Sequence, residues 1–403
     1  MGRIDTLDPV ILSAVRTPIG KFLGCLSSIP APRLGGLVIK EAVNRARIPD
    51  LTQIDEVLMG NVVQAGVGQA PARQAAIFGG LPDSICATTI NKVCGSGLKT
   101  IMLAAQAIRA GDGQLFVSGG MENMSRAPFL VDGRLGALRY GHAQLTDALV
   151  NDGLWDPFEN WGMGEAAEFI AEKYQVSRQA MDEYALNSHQ KAISAMDSGK
   201  FRDQIIPVEI SGTKGETTTF SSDESPKRNT SYEALAKLKP AFVKDGKITA
   251  GNSPGLNDGA AALVISSRAL AEKWLIEPLA RIVGYDQAAL APKYLFDAPY
   301  KVIPQLLRKL AWTLEQVELI ELNEAFAAQV LANGYAMADL GWNWEKVNVN
   351  GGSIALGHPI GASGARIVTT LLYAMIDANA QRGIAAMCLG GAEAVAIAVE
   401  RDI

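Results

Sequence analysis

Short apolar, β-branched runs alternate with longer stretches of helical period through most of this chain. Pro9-Val10-Ile11-Leu12-Ser13-Ala14-Val15 predicts an opening strand, ended by the turn Arg16-Thr17-Pro18-Ile19-Gly20. A helical period runs from Leu34 to Arg47, Glu56 to Met59 predicts a second strand, and Pro71 to Phe78 a short helix. Ile85 to Ile90 has the composition of a buried strand. Leu98 to Ile108 is apolar all round and rich in small residues, as a central helix would be, and Gln114 to Ser118 reads as the next strand. This alternation predicts an α/β fold whose mostly parallel sheets are covered on both faces.

The rhythm breaks between Gly119 and Asp245. This segment holds Trp155, Trp161, Gly162 and Gly164, an amphipathic helix from Arg178 to Asp197, and a polar, charged stretch from Ser211 to Lys239. It reads as an insertion, the place where a large substrate would find its loops. Strands return at Ala260–Ile265, Leu279–Val283 and Val317–Leu322, with a helix near Tyr300 to Leu310 and another from Glu324 to Leu340. Val347 to Asn350 reads as a short strand, followed by a Gly loop (Gly351 to Gly364), a small-residue helix (Ala365 to Ile376), and strands Ile384–Cys388 and Ala394–Glu400. The order of turn, reactive residue, Gly-rich step and small-residue helix occurs around Cys94 and again around His358, which points to an internal duplication.

Composition narrows the function classes. A length of 403 residues suits two or three compact units. The net charge of −5 provides no broad basic field, so nucleic acid is not an expected partner. Cys25, Cys86, Cys94 and Cys388 form no CxxC pair and no disulfide-like spacing, which fits a reduced, cytoplasmic chain. No apolar run reaches the length of a membrane span, and the N-terminus has neither a secretory nor an Arg-rich transit pattern.

Four short stretches carry candidate chemistry. Cys94 stands where a predicted strand turns into a helix, and a helix N-terminus favours thiolate over thiol. Gly95, Ser96 and Gly97 let another backbone or a ligand approach the sulfur. On this stretch alone, a core cysteine beside a tight turn is an equal reading. A thiolate nucleophile needs a base. Of three histidines, His142 falls in a polar loop and His189 on the exposed side of a helix, both read as solvated surface. His358 is flanked by glycines and followed by Pro359, which holds it out of helical geometry; a phosphate-cradling Gly loop is the rival reading there. Cys388-Leu389-Gly390-Gly391 follows a strand and could be core, or could move a proton while the Gly390 N–H stabilises an oxyanion. Asn323 ends a strand ahead of a helix, the position of an N-cap, a role compatible with a catalytic one.

Together these stretches resemble the thiolase family. The resemblance rests on Arg16 to Gly20, Asn91 to Gly97, Gly119 to Ser125, Asn252, Gly255 to Ala261, Asn323 to Gln329, Asn350 to Gly364 and Cys388 to Gly391, in order over nearly the whole chain. It implies a thiolase-like fold of duplicated α/β halves in an α-β-α-β-α core with an inserted loop domain. The N-terminal half would span 1–119, completed by 247–272, the CoA-binding and oligomer-contacting insertion 120–246, and the C-terminal half 273–403. Cys94 would take the acyl group as a thioester, His358 would accept its proton, and Cys388 would be the second acid/base. One oxyanion hole would use His358 and a water held by Asn323, the other the N–H groups of Cys94 and Gly390. Coenzyme A, as substrate and product and not a permanent cofactor, would meet Lys227 or Arg228, with Leu154, Met163, Phe242, Ala250, Ser253 and Phe326 along the pantetheine. No metal is implied. The assembly would be a homodimer or homotetramer, the partners acyl-CoA substrates.

Three departures bear on acyl-chain preference: Gly162-Met163-Gly164 where His-Met-Gly is usual, Pro254 where a serine contacting the pantetheine is common, and, after Cys388, Gly391-Ala392-Glu393-Ala394 where Gly-Gly-Met-Gly is usual. The expected reaction is Claisen condensation of two acetyl-CoA to acetoacetyl-CoA, or the reverse thiolysis of a 3-ketoacyl-CoA. The alternatives are a β-ketoacyl synthase-like condensing enzyme, or a catalytically silent CoA- or lipid-binding relative.

Overall fold

A computed structural model of the chain describes residues 6–133, 138, 140–211 and 216–401. Residues 1–5, 134–137, 139, 212–215 (near the start of the polar stretch 211–239) and 402–403 therefore lie outside the described residues.

Among the described residues, ten strands form one mixed sheet. They are β1 (Pro9–Arg16), β2 (Gly20–Lys21), β3 (Glu56–Gly60), β4 (Cys86–Ile90), β5 (Leu115–Asn123), β6 (Asn257–Ser267), β7 (Ala280–Ala289), β8 (Leu319–Leu322), β9 (Arg382–Leu389) and β10 (Glu393–Glu400). Their order is β8-β9-β10-β7-β1-β6-β5-β3-β4, with β2 on β6. In the N-terminal part β3 is parallel to β4 and β5, β5 antiparallel to β6, and β6 antiparallel to β1. The C-terminal part repeats this: β8 parallel to β9, β9 antiparallel to β10, β10 antiparallel to β7. Only two residue pairs, Val10↔Arg281 and Ile11↔Ala280, join the copies.

The strand predicted at Val347–Asn350 occupies the place that β4 holds in the other copy, but it shrinks to one parallel bridge, Ile320↔Val347. The Asn348 side chain explains the loss. Its amide accepts from Leu322 N and donates to Leu322 O, taking the backbone groups that a longer ladder would use. β4 itself corrects a second expectation: it is an edge strand, exposed or half-buried along its length, because it pairs with β3 alone.

Helices α1 (Ala31–Ala46), α2 (Pro71–Phe78), α3 (Ser96–Ala110), α4 (Met163–Lys173), α5 (Arg178–Asp197), α6 (Ala298–Leu310), α7 (Ala327–Ala336), α8 (Ser353–Leu356) and α9 (Ser363–Asp377) complete the frame. α3 and α9 share one apolar core with both copies of the sheet. α1 and α2 cover the outer face of the N-terminal copy, α6 and α7 that of the C-terminal copy. Five layers result. The strand β6 shows why its sequence is continuously apolar: Leu263 and Ile265 face α3 and α9 while Ala262 and Val264 face α1. Each such Leu, Ile or Val buried contributes about 1.5–3 kcal/mol.

Between β5 and β6, residues outside the sheet carry α4 and α5. This region is tied to β1 by the fully buried Arg16–Asp223 pair at 2.7 Å, and Arg16 Nε also donates to Gln204 at 2.8 Å. His189 on α5 is buried, not solvated, and its Nδ1 accepts from Lys227 N at 3.3 Å. The weak amphipathic contrast of Arg178–Asp197 concealed this, since the polar segment around Lys227 packs over the face that looked exposed.

Candidate active site

The two central helices begin almost in contact. Gly97 at the start of α3 and Gly120 on β5 both lie against Gly361, three residues beyond His358. A Cβ on Gly97 would stand 3.0 Å from Gly361 O and 2.9 Å from Ala365 N, so only glycine allows this approach. The Cys94 turn and the His358 loop are thereby pressed together at the centre of the molecule.

Cys94 is half-buried in a turn held by side chains. Val93 has φ +46°, a left-handed conformation uncommon for a β-branched residue. Asn91 Oδ1 accepts from Val93 N at 3.0 Å, and Ser96 Oγ accepts from Lys92 N at 2.9 Å while donating to Val93 O at 2.6 Å. Lys92 pairs with Glu393 just beyond β9, locking this turn to the Gly390 loop. The N–H groups of Cys94 and Gly390 favour a charged sulfur on Cys94, and Cys388, buried at the end of β9, is close enough to feel the Cys94 charge.

Burial decides the protonation states. It pushes the Cys94 thiol up to about 12, more than the two N–H groups pull it down, with the Glu122 carboxylate raising it further. It raises Cys388 well above the usual thiol range, with Cys94 adding to the effect. It lowers His358 to about 3, and the Arg366 charge lowers it too. The thiolate expected from the helix N-terminus is therefore not the resting form: partial dipole charges stabilise by about 0.3–1 kcal/mol, less than the cost of stripping water from a sulfur anion. The resting site holds two thiols and a neutral imidazole.

His358 has a defined tautomer. Ser363 Oγ lies 2.9 Å from Pro359 O and 2.6 Å from His358 Nδ1; with the hydroxyl hydrogen on Pro359 O, the ring is the donor from Nδ1. Nε2 is then an open lone pair, and it is buried with no hydrogen-bond partner. Asn257 accepts from His358 N at 2.9 Å and anchors the loop to β6.

Asn323 is not a helix cap. α7 starts at Ala327, and Phe326, extended at φ −157°, stands in the cap position. Glu324 cannot begin a helix because its carboxylate is taken by Tyr184, Ser188, Asn348 and Ile354 N at 2.8 to 3.0 Å. Asn323 instead joins its backbone N–H to Ala386 O and is buried, with Oδ1 bonded to Ser353 and Nδ2 without a partner.

Apolar surroundings come from both sides. Leu154 packs in one cluster with Cys94 and Ile360; Met163 and Phe326 pack in another with Cys388. Phe326 meets Phe242 edge-on at 6.2 Å and Phe296 at 5.5 Å. Ala250 is exposed, and Ser253 is buried with its hydroxyl donating to Thr249 O at 2.8 Å. Lys227 and Arg228 face α5, where Arg228 pairs with Asp197 at 2.6 Å on the surface.

Four residues escaped the sequence reading as site residues. Ser363 and Ser353 lie within the Gly-rich stretch and Arg366 in the helix just after it, but all three show their use only through their partners. Glu122 lies in the Gly-Gly-Met-Glu run, and its buried carboxylate accepts from Asn61 Nδ2 at 2.9 Å, Val62 N at 3.0 Å, Val63 N at 3.3 Å and Gly361 N at 3.0 Å. Glu122 lies past the strand expected at Gln114–Ser118, and only the extension of β5 to Asn123 reveals it as a buried strand residue. Among the described residues no group of three or more His, Cys, Asp or Glu could hold a metal ion, and no helix is long and apolar enough to cross a membrane.

Comparison with known proteins agrees with this geometry. Residues 9–269 match the family described as "Thiolase, N-terminal domain" and residues 276–401 "Thiolase, C-terminal domain". The acetyl-CoA acetyltransferase of Pseudomonas aeruginosa is 51% identical over 395 residues, covering 98% of this chain and 100% of that protein. The cytosolic acetyl-CoA acetyltransferase of Mus musculus is 46% identical, covering 98% of each. The crystal structure of the Bacillus anthracis acetyl-CoA acetyltransferase superposes with a TM-score of 0.94 at 42% identity, over 98% of both chains.

Proposed function

The chain belongs to the thiolase family, and from that premise we propose that it condenses two acetyl-CoA to acetoacetyl-CoA and runs the reverse thiolysis. The observation that carries this reading is the pressing of the half-buried Cys94 turn against the His358 loop at Gly361, with buried Cys388 near enough for the charge of Cys94 to act on it. Cys94 passes its proton to His358 Nε2 as its sulfur attacks the thioester carbonyl carbon. The N–H groups of Cys94 and Gly390 stabilise the resulting oxyanion; removing one such donor typically costs about 3–4 kcal/mol of barrier.

The departing CoA sulfur takes the Cys388 proton, which leaves a Cys388 thiolate. That thiolate removes an α-proton from the second acetyl-CoA. The enolate oxygen is held by the protonated His358 and by Asn323 through a water. The enolate carbon attacks the acetyl-Cys94 carbonyl, the Cys94 sulfur leaves, and it recovers its proton from His358. All three groups return to their starting forms.

Coenzyme A acts only as substrate and product, with Leu154, Met163, Phe242, Ala250, Ser253 and Phe326 along its pantetheine arm and Lys227 or Arg228 near its nucleotide. The free thiols of all four cysteines support a cytoplasmic setting, and the unpaired edge of β4 supports self-association as a dimer or tetramer. The second reactive group, a cysteine in place of a second histidine, disfavours a β-ketoacyl synthase.

Intact-mass measurement after mixing with acetyl-CoA tests the reading. Wild type gains one acetyl group and Cys94→Ala gains none. Cys388→Ala is acetylated yet forms no acetoacetyl-CoA. Acetylation of the Cys94→Ala protein, or condensation by Cys388→Ala at the wild-type rate, would sink the proposal.

A further inference from the structure

Asn323 has its carboxamide buried in a setting that admits one orientation. Ser353 Oγ accepts from Arg366 Nη2 at 2.6 Å and lies 2.7 Å from Asn323 Oδ1. With one lone pair engaged by the guanidinium, the hydroxyl hydrogen is free, and Asn323 Oδ1 is the acceptor in reach. A flipped amide would donate into the hydroxyl's second lone pair and leave the hydroxyl hydrogen buried without a partner, at a cost of about 1–3 kcal/mol. Arg366 is itself fixed, 2% exposed and 3.6 Å from the equally buried Glu321. The Asn323 backbone is pinned to Ala386 O, two residues before Cys388. One end of the amide is therefore clamped, and the other, Nδ2, is a buried donor without a protein partner.

We infer that Ser353, held by Arg366, is a positioning residue that locks the Asn323 amide with its Nδ2 donor facing the acidic α-carbon's thioester oxygen, by way of the water it holds. The inference rests on the role proposed for Asn323 and adds what enforces it. Ser353 touches neither sulfur and no reacting atom. Its effect falls on the enolate-forming step and spares acylation of Cys94, which uses the Cys94 and Gly390 N–H groups.

The test compares Ser353→Ala, Ser353→Thr and Asn323→Ala in two assays on the full chain: acetyl-enzyme formation from acetyl-CoA, and solvent deuterium exchange into the acetyl-CoA methyl group. Asn323→Ala lowers exchange by roughly 10²–10³-fold, the range for losing an oxyanion donor. Ser353→Ala lowers exchange about tenfold through kcat and leaves acetylation within about twofold, because the donor is loosened but still present. Ser353→Thr, which keeps the hydroxyl, restores exchange. Wild-type exchange in Ser353→Ala alongside loss in Asn323→Ala overturns the inference and leaves the Asn323 role standing. Equal losses in both assays, or no rescue by threonine, overturn it as well. Wild-type exchange in Asn323→Ala removes the role on which it rests.

Discussion

His358 donates from Nδ1 to Ser363 Oγ across 2.6 Å, because the Ser363 hydrogen already belongs to Pro359 O. The serine, five residues downstream on the first turn of α9, thus selects the tautomer whose Nε2 can accept a proton. Ser363→Ala frees the ring to change tautomer or rotate. Iodoacetamide alkylation of Cys94 should slow about tenfold, a fraction of the roughly 10²–10⁴ that a general base contributes, while circular dichroism stays unchanged. An unaltered alkylation rate would refute the tautomer argument.

Cys94 and His358 are both neutral at rest, the thiol raised to about 12 and the imidazole lowered to about 3 by burial. With neutral His358 as its base, wild-type Cys94 should be alkylated at a rate that changes less than about twofold from about pH 6 to about pH 9, whereas His358→Ala, left with only its small thiolate fraction, should climb by about tenfold per pH unit. The two groups titrate as a pair, so the profile reports the pair. A rise of about tenfold per pH unit in the wild type would show that His358 takes no proton from Cys94.

Glu122 accepts four hydrogen bonds, one of them from Gly361 in the His358 loop. Glu122→Gln keeps the shape but turns an NH₂ toward two of those donors. Unfolding in urea should register a loss of about 1–3 kcal/mol, and alkylation of Cys94 should slow as the His358 loop loosens. Stability equal to wild type would mean that the carboxylate clamps nothing.

Two buried imidazoles make the fold acid-sensitive. His358 is lowered to about 3 and His189 to about 4, in both cases first by burial, from the usual 6.5. Between about pH 6.5 and 4 the unfolded chain binds protons at these sites and the folded chain does not, so stability falls as pH falls. Glu122 and Glu321, raised by burial to about 8, act oppositely: they bind protons when folded and weaken the fold as pH rises from 4.5 to 8. Replacing one imidazole isolates its share. His189→Gln should lose less stability than wild type between pH 7 and pH 4 in urea titrations. A parallel pH dependence in the two proteins would contradict the burial of His189.

Local pattern by itself determined most of the order of strands and helices and the doubling of the chain, and it nominated the candidate reactive groups. Apolar runs, Gly-rich turns and the positions of Cys94, His358 and Cys388 are all visible within windows of ten residues. Only the tertiary structure decided what those groups are in their resting state. The helix N-terminus at Cys94 argued for a thiolate, but desolvation by segments hundreds of residues away outweighs it. His189 looked solvated until the Lys227 segment covered it. The strand at Val347 and the cap at Asn323 failed because Asn348 and Glu324 spend their side chains on distant or neighbouring backbone and hydroxyl groups. Protonation, tautomer and amide orientation depend on which donors converge after folding and how much water they exclude, and neither quantity has a local signature along the chain.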